Sequence, residues 1–200
     1  MRTSLFAAAS CAALLTAVAS PALAAPISGM QAAASVAPAA DAISDQELKS
    51  FATAMAAVRP IAEAAGGTPS AEQQAEMAAA IEASGLALTR FNAISTAVSS
   101  DAVVRARLEL ATTAPSPAGS AAAAVTDAEV DQFARAMAAV QPIAEALNGA
   151  APSAEQQEQM ATAIEGTGLA RERFNAISGA VSQDAHLRAR LAVADARRAG

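Results

Sequence analysis

Apolar residues recur at helical spacing in two stretches of this chain. One stretch holds Leu48, Phe51, Met55 and Val58, and the other repeats the spacing with Val130, Phe133, Met137 and Val140. Because residues three or four positions apart share one face of an α-helix, each set predicts an amphipathic helix. Ser44 to Glu47 and Thr126 to Glu129 precede them with the Ser/Thr-x-x-Glu pattern of a capping box. The two helices are therefore predicted to begin there.

Three further helices are predicted after each of these. A second capping box occurs at residues 69–73 and 152–156, and Gly85 and Gly168 end that helix because glycine adopts the left-handed conformation at little cost. A third, short helix carries the apolar residues Phe91, Ile94 and Val98, or Phe174, Ile177 and Val181. Asp101 and Asp184 are suited to cap a fourth. No alternating strand pattern occurs, so the predicted fold class is all-α, with two tandem bundles of three to four helices each.

One proline lies within the first predicted helix of each set. Pro60 and Pro142 follow the last apolar residue of the periodic stretch. Proline removes an amide donor and crowds the carbonyl four residues back. A kink or a helix boundary is therefore predicted at both positions.

The chain contains an internal sequence repeat of two copies. Residues 44–111 and 126–194 align with identity at about 45 of 68 positions, with one extra residue near Ala150. The period of about 82 exceeds that of solenoid repeats, which indicates two small domains. Residues 25–43 and 112–125 are rich in Ala, Pro, Ser and Gly and are interpreted as a disordered linker and a mobile tether, and residues 195–200 as a tail.

The N-terminal residues have the pattern of a secretory signal peptide. Arg2 precedes an apolar stretch from Leu5 to Val18, and the small residues Ala22 and Ala24 match the requirement for cleavage after Ala24. Residues 1–24 are therefore predicted to be removed on export to a periplasm or to the exterior. The apolar stretch is shorter than a membrane span requires, so no transmembrane segment is expected after cleavage.

Composition narrows the classes of function. The chain has 13 basic and 19 acidic residues, which disfavours a nucleic-acid binder because such proteins need clustered Lys and Arg. One His and one Cys disfavour a transition-metal site or a disulfide framework. Nearly a third of the residues are alanine and only 2% are aromatic, so we predict a thin core and no cofactor.

Both copies carry a combined motif with a family resemblance. Gly85-Leu86, the segment Arg90 to Ser95 and the segment Asp101 to Leu108 recur as Gly168-Leu169, Arg173 to Ser178 and Asp184 to Leu191. This arrangement resembles the bacterial domain of unknown function 4168 family. Ala87 and Ala170 stand where that family usually has a Ser or Thr cap, and Ala102 and Ala185 where it often has Pro. The resemblance implies an exported helical domain with no established activity and no catalytic residues.

Polar residues repeated in both copies are the candidates for recognition. They are Asn92, Asp101, Arg105 and Arg107, with their counterparts Asn175, Asp184, Arg188 and Arg190, and also Glu63 with Glu145. An Arg/Asp/Asn cluster is suited to an anionic ligand, but a structural interpretation is favoured because Asp101 can cap its helix and pair with Arg105 one turn later. Arg105 and Arg107 lie two positions apart and are predicted to point to different faces.

Histidine and methionine residues are predicted to have structural roles and not functional ones. His186 has no counterpart in the first copy, where Val103 stands, so it is predicted to be a surface histidine. Met55, Met77, Met137 and Met160 occur at core spacing and are predicted to fill gaps in the core.

Three hypotheses of function follow from these patterns. The favoured one is a non-catalytic exported protein that binds a protein or peptide partner, because two linked modules gain avidity. A carrier of a small apolar ligand between helices is the alternative. An enzyme is disfavoured, since no nucleophile elbow, Gly-rich phosphate loop or His/Cys cluster occurs in the sequence.

Overall fold

The computed structural model describes residues 42–200, and these residues form eight α-helices without a β-strand. They are α1 (Asp45–Ala64), α2 (Ala71–Ala83), α3 (Leu88–Ser100), α4 (Ala102–Thr112), α5 (Asp127–Ala146), α6 (Ala154–Glu165), α7 (Arg171–Gln183) and α8 (Ala185–Ala199). The predicted all-α class is confirmed for this part of the chain. The predicted signal peptide 1–24, and residues 25–41 of the predicted linker, lie outside the described residues.

Local capping sets where the helices begin. The four predicted capping boxes are all present, at Ser44, Ser70, Thr126 and Ser153. In each box the hydroxyl accepts from the third helical amide while the Glu or Gln at that position accepts from the cap amide. By contrast, α3 and α7 have no side-chain cap, since their N-cap residues are Ala87 and Ala170.

The two prolines do not end their helices. Both α1 and α5 continue for four residues past Pro60 and Pro142. Of the two predicted alternatives, a kink or a helix boundary, the boundary is therefore wrong. A proline this close to the C-terminus removes one hydrogen bond but leaves the following residues free to bond to earlier carbonyls. The predicted stops at Gly85 and Gly168 are confirmed, since both glycines adopt positive φ, at +88° and +86°, in the turns that follow α2 and α6. Gly85 lies two residues after the end of α2 and Gly168 three residues after the end of α6.

Buried side chains gather in two clusters. One lies among α1 to α4 and includes the fully buried Leu48, Ile94 and Val104. The other lies among α5 to α8 and includes Ile177 and Leu187. Each cluster holds a pair of phenylalanine rings, Phe51 with Phe91 at a centroid distance of 4.9 Å and Phe133 with Phe174 at 4.8 Å.

Helices α4 and α8 pack against one another and join the two groups of helices. Ala106 on α4 and Ala189 on α8 are buried although they belong to neither core cluster. Alanine on the contact face allows two helix backbones to approach closely. All of residues 42–200 accordingly fall within a single compact unit.

Three predicted segment assignments need correction. Ile43, placed in the linker 25–43, is completely buried, and in the tether 112–125 Ala122 and Val125 are buried in the second cluster. Both Ile43 and Val125 directly precede a capping residue, and each shares a cluster with the fourth helical residue, Leu48 or Val130. This is the arrangement of a hydrophobic staple, which fixes the entry of the chain into a helix. The predicted tail also differs, since α8 continues to Ala199.

Candidate functional site

Arg90 and its counterpart Arg173 link the third helix of each group to the start of the first. Arg90 Nε donates to Glu47 Oε1 at 2.7 Å, and its Nη2 donates to the carbonyl of Ala42 at 2.9 Å. Arg173 repeats both bonds, with Glu129 at 2.6 Å and Ala124 at 3.2 Å. Each arginine therefore binds the carboxylate that completes a capping box.

The capping glutamates are consequently more acidic than an ordinary glutamate. The hydrogen bond from Arg90, followed by that from the Ser44 amide, lowers the pKa of Glu47 from an ordinary 4.5 to about 2. Arg173 and the Thr126 amide lower the pKa of Glu129 to about 2 in the same way. A carboxylate held ionised to this degree serves as a fixed acceptor and is unsuited to proton transfer near neutral pH.

Arg107 and Arg190, predicted as recognition residues, hold the first turn of the first helix. Arg107 Nη2 contacts Asp45 Oδ1 at 2.6 Å, and Arg190 Nη2 contacts Asp127 Oδ1 at 2.6 Å. Arg190 Nη1 also donates to the carbonyl of Val125 at 2.8 Å. The arginine side chains are 15% and 17% exposed, so little of either guanidinium is accessible to a ligand.

Arg105 and Arg188 bind the C-termini of α3 and α7. Arg105 donates to the carbonyls of Val98 and Ser99, both at 3.2 Å, and Arg188 donates to the equivalent carbonyls of Val181 and Ser182 at 3.0 and 3.1 Å. A cation there satisfies carbonyls that lack a helical partner and opposes the helix dipole. Arg105 and Arg107 thus point to different partners, as predicted. The predicted ion pair between Asp101 and Arg105 is absent among residues 42–200.

The predicted capping role of Asp101 and Asp184 is confirmed. Asp101 Oδ1 accepts from the amides of Val103 and Val104, and Asp184 Oδ1 accepts from the amide of Leu187 at 2.7 Å. Asp184 also accepts from Ser116 Oγ at 2.9 Å, a contact that holds the 112–125 segment against the second group of helices. The Leu187 amide and the Ser116 hydroxyl lower the pKa of Asp184.

The remaining repeated polar residues lie apart from these contacts. Asn92 and Asn175 are exposed on α3 and α7, and Glu63 and Glu145 are exposed near the ends of α1 and α5. Thus the structure distributes the candidate recognition residues over several helix ends and does not collect them around one pocket. Within the described residues, no group of three His, Cys, Asp or Glu side chains is placed to hold a metal ion.

His186, predicted to be a surface histidine, is half-buried. Its Nδ1 atom is buried and has no hydrogen-bond partner among the described residues. It lies on α8 three positions before the buried Ala189 and seven before the buried Val193. These spacings place it on the helix face that carries both of those residues.

The methionines differ most from the sequence-based prediction. Met55 and Met137 are 37% and 44% exposed, so among residues 42–200 they are exposed large apolar side chains. Met77 and Met160 are half-buried. Only partial filling of the core by methionine is therefore observed, and the prediction is wrong for Met55 and Met137.

These methionines belong to a repeated surface. We use the term apolar strip for the Met, Val and Ile side chains of each two-helix hairpin that are at least partly exposed and are identical in both copies. The strip of α1 and α2 consists of Met55, Val58, Ile61 and Met77, and that of α5 and α6 consists of Met137, Val140, Ile143 and Met160. The sequence repeat could have identified this surface. Identity of the same apolar residues in both copies is evidence that helical periodicity alone does not provide.

Two hollows occur on the surface of residues 42–200, one open and one small. A hollow of about 570 Å³ is lined only by residues of α6: Glu155, Glu158, Gln159, Thr162 and Ala163. Another, of about 200 Å³, lies where Leu110 of α4 meets α5 and α8 near Val130, Arg190 and Val193. A groove along one helix cannot enclose an apolar molecule in the manner of a carrier.

Comparisons with protein-family models, curated proteins and solved structures yield no match to this chain. Among residues 42–200, no helix has both the length and the apolar character needed to cross a bilayer.

Proposed function

We propose that this chain is an exported, non-catalytic binding protein whose two helical bundles present equivalent surfaces to a protein or peptide partner. The resemblance to the bacterial domain of unknown function 4168 family supports this proposal, as does the signal-peptide pattern of residues 1–24. The destination is a periplasm or the cell exterior. The two bundles arose by duplication and are joined by residues 112–125.

One observation carries the binding role. The arginines repeated in both copies are engaged at helix ends, whereas the repeated Met55 and Met137 are exposed. Arginines used in this way stabilise the fold, and their conservation between copies needs no ligand to explain it. An apolar side chain kept exposed in both copies has no such structural explanation and favours contact with another molecule.

The packing of α4 on α8 favours simultaneous binding of one partner by both copies. A flexible tether would leave each surface to bind separately, but a compact unit holds both at a set separation. A partner that engages both surfaces then loses less conformational freedom on binding the second one. The alternative, a carrier of a small apolar ligand, is less well supported because the larger hollow is open along α6.

Crosslinking in intact producing cells tests the binding role. We expect one or a few specific protein adducts, recovered by mass spectrometry, that disappear when unlabelled purified protein competes in a permeabilised sample. Native mass spectrometry of the purified protein provides the contrast. A bound small molecule in place of a protein adduct would favour the carrier, and the absence of both would contradict the proposal.

A further inference from the structure

The two apolar strips are equivalent in composition and in exposure. Each has two methionines, one valine and one isoleucine at matching positions, and none of the eight side chains is fully buried. Methionine is flexible and polarizable, so a methionine-rich surface adapts to different apolar side chains. Each strip is carried by two helices that pack on one another, and the apolar face of an amphipathic helix is the type of ligand that such a surface accepts.

Acidic helices border both strips. Helix α2 carries Glu72, Glu76 and Glu82, helix α6 carries Glu155, Glu158 and Glu165, and neither helix contains Lys or Arg. All six carboxylates are exposed, and only Glu165 forms an ion pair, with Arg171 at 3.1 Å. Exposed cations also lie within two residues of each strip, Arg59 on α1 and Arg135 on α5. The three carboxylates of α2 or α6 outnumber the single arginine, so the net charge beside each strip is negative.

We infer that each apolar strip binds an amphipathic helix of a partner protein that presents Lys or Arg beside its apolar face. The inference rests on the proposed function and specifies the surface and the partner. Apolar contact with the methionines supplies affinity, while the bordering carboxylates select a cationic helix and orient it. Because both strips belong to one compact unit, a partner with two such helices can engage both.

Charge also decides against the other occupants of an apolar strip. Two copies of this chain that met through their strips would bring the acidic α2 or α6 helices together, which is unfavourable. An anionic membrane surface would repel the same carboxylates. A cationic helix gains from both features of the surface.

A designed peptide tests the surface directly. The probe is a fluorescent helix of about five turns made of Leu and Lys, and its control replaces each Lys with Glu. We expect the purified protein to bind the Lys peptide in fluorescence anisotropy and not the Glu peptide. The double variant Met55→Gln, Met137→Gln should weaken binding by at least about tenfold, because apolar burial is lost on both strips. Met55→Leu, Met137→Leu should retain it.

A matched pair of charge variants separates the strip from general acidity. Glu76→Gln, Glu158→Gln removes two carboxylates from α2 and α6, and Glu109→Gln, Glu172→Gln removes two exposed ones from α4 and α7. The first pair should weaken binding severalfold. The second should change it much less, and that small change should disappear at high salt because exposed charges at a distance are screened. Equal loss in both pairs would overturn the inference.

Other outcomes distinguish the surface from the function. If the adducts in cells persist in the Met→Gln double variant, the protein binds a partner but not through the strips, and this inference alone fails. Self-association that the same variant abolishes would make a second copy the occupant and overturn it. Binding of phosphatidylglycerol vesicles through the methionines, without binding of the Lys peptide, would overturn it in favour of a membrane.

Discussion

The first turns of α1 and its later turns differ in how far their apolar side chains are buried. At the beginning, Ile43, Leu48 and Phe51 are buried and Arg90 binds the capping Glu47. Further along the same helices, Met55 is 37% exposed and Val58 and Ile61 are only half-buried. The hairpin α5–α6 repeats the difference. One helix thus serves stability in its first turns and carries an accessible apolar surface in later ones.

The largest effect is expected at the covered end. Phe51→Ala removes a buried ring that stacks on Phe91, and truncation of a packed phenylalanine costs about 3–5 kcal/mol. Chemical denaturation followed by circular dichroism should show a large fall in the midpoint, and Phe133→Ala should behave alike. A loss below about 1 kcal/mol would mean that the ring is not part of a packed core.

The contact between α4 and α8 should respond to an added side chain. Ala106→Leu adds three carbon atoms at a buried position, and overpacking costs about 1–3 kcal/mol. We further expect the single unfolding transition to separate into two, since the contact joins the two core clusters. Ala102→Leu, at an exposed position of the same helix, is the control and should leave one transition.

The capping glutamates should make stability depend on acid. The pKa of Glu47 and Glu129 is about 2 in the folded protein and 4.5 ordinarily, so the unfolded chain takes up protons first as the pH falls. The stabilisation is complete above about pH 4.5 and is lost between there and about pH 2. Because both side chains are about one quarter exposed, solvent screening limits the effect to about 1 kcal/mol each.

A pair of neutral substitutions measures that dependence. Glu47→Gln, Glu129→Gln keeps the capping-box geometry, as Gln73 and Gln156 do in α2 and α6. Denaturation midpoints recorded from pH 6 to pH 2 should fall less steeply in this variant than in the parent. Parallel slopes would show that the two glutamates are not the acid-sensitive groups.

A smaller effect is expected at the caps of the fourth helix. Asp101→Ala should cost about 0.5–2 kcal/mol, and Asp101→Asn should recover most of it because Asn accepts the same amide bonds without charge. Thermal unfolding checks both. Equal losses for Ala and Asn would indicate that the carboxylate itself is required and would return Asp101 to the candidate recognition residues.

The smallest effect is expected at the exposed end. Met55→Gln replaces a partly exposed side chain by a good helix former, and surface substitutions of this kind change stability by about 0.5 kcal/mol or less. Comparison of its denaturation midpoint with that of Phe51→Ala, one helical turn away, measures the contrast between the two ends. A loss as large as that of Phe51→Ala would remove the contrast.

Local signals in the sequence determined the helices and their caps. The four capping boxes, the aspartate caps at Asp101 and Asp184 and the glycine stops all depend on contacts within a few residues, so spacing alone identifies them. Helical periodicity also places each phenylalanine on the apolar face of its helix. Phe51 and Phe133 are buried, and Phe91 and Phe174 are partly buried against the same clusters.

Contacts between distant residues were decided only by the tertiary structure. Arg90 and Glu47 are 43 residues apart, and their pairing requires α3 to return to the start of α1. Ile43 and Val125 looked like linker residues because a hydrophobic staple lies outside the helical period. The exposure of Met55 depends on where other helices end, which periodicity does not encode. Whether an apolar face becomes core or surface is thus a property of the packed helices, whereas the face itself is a property of the chain.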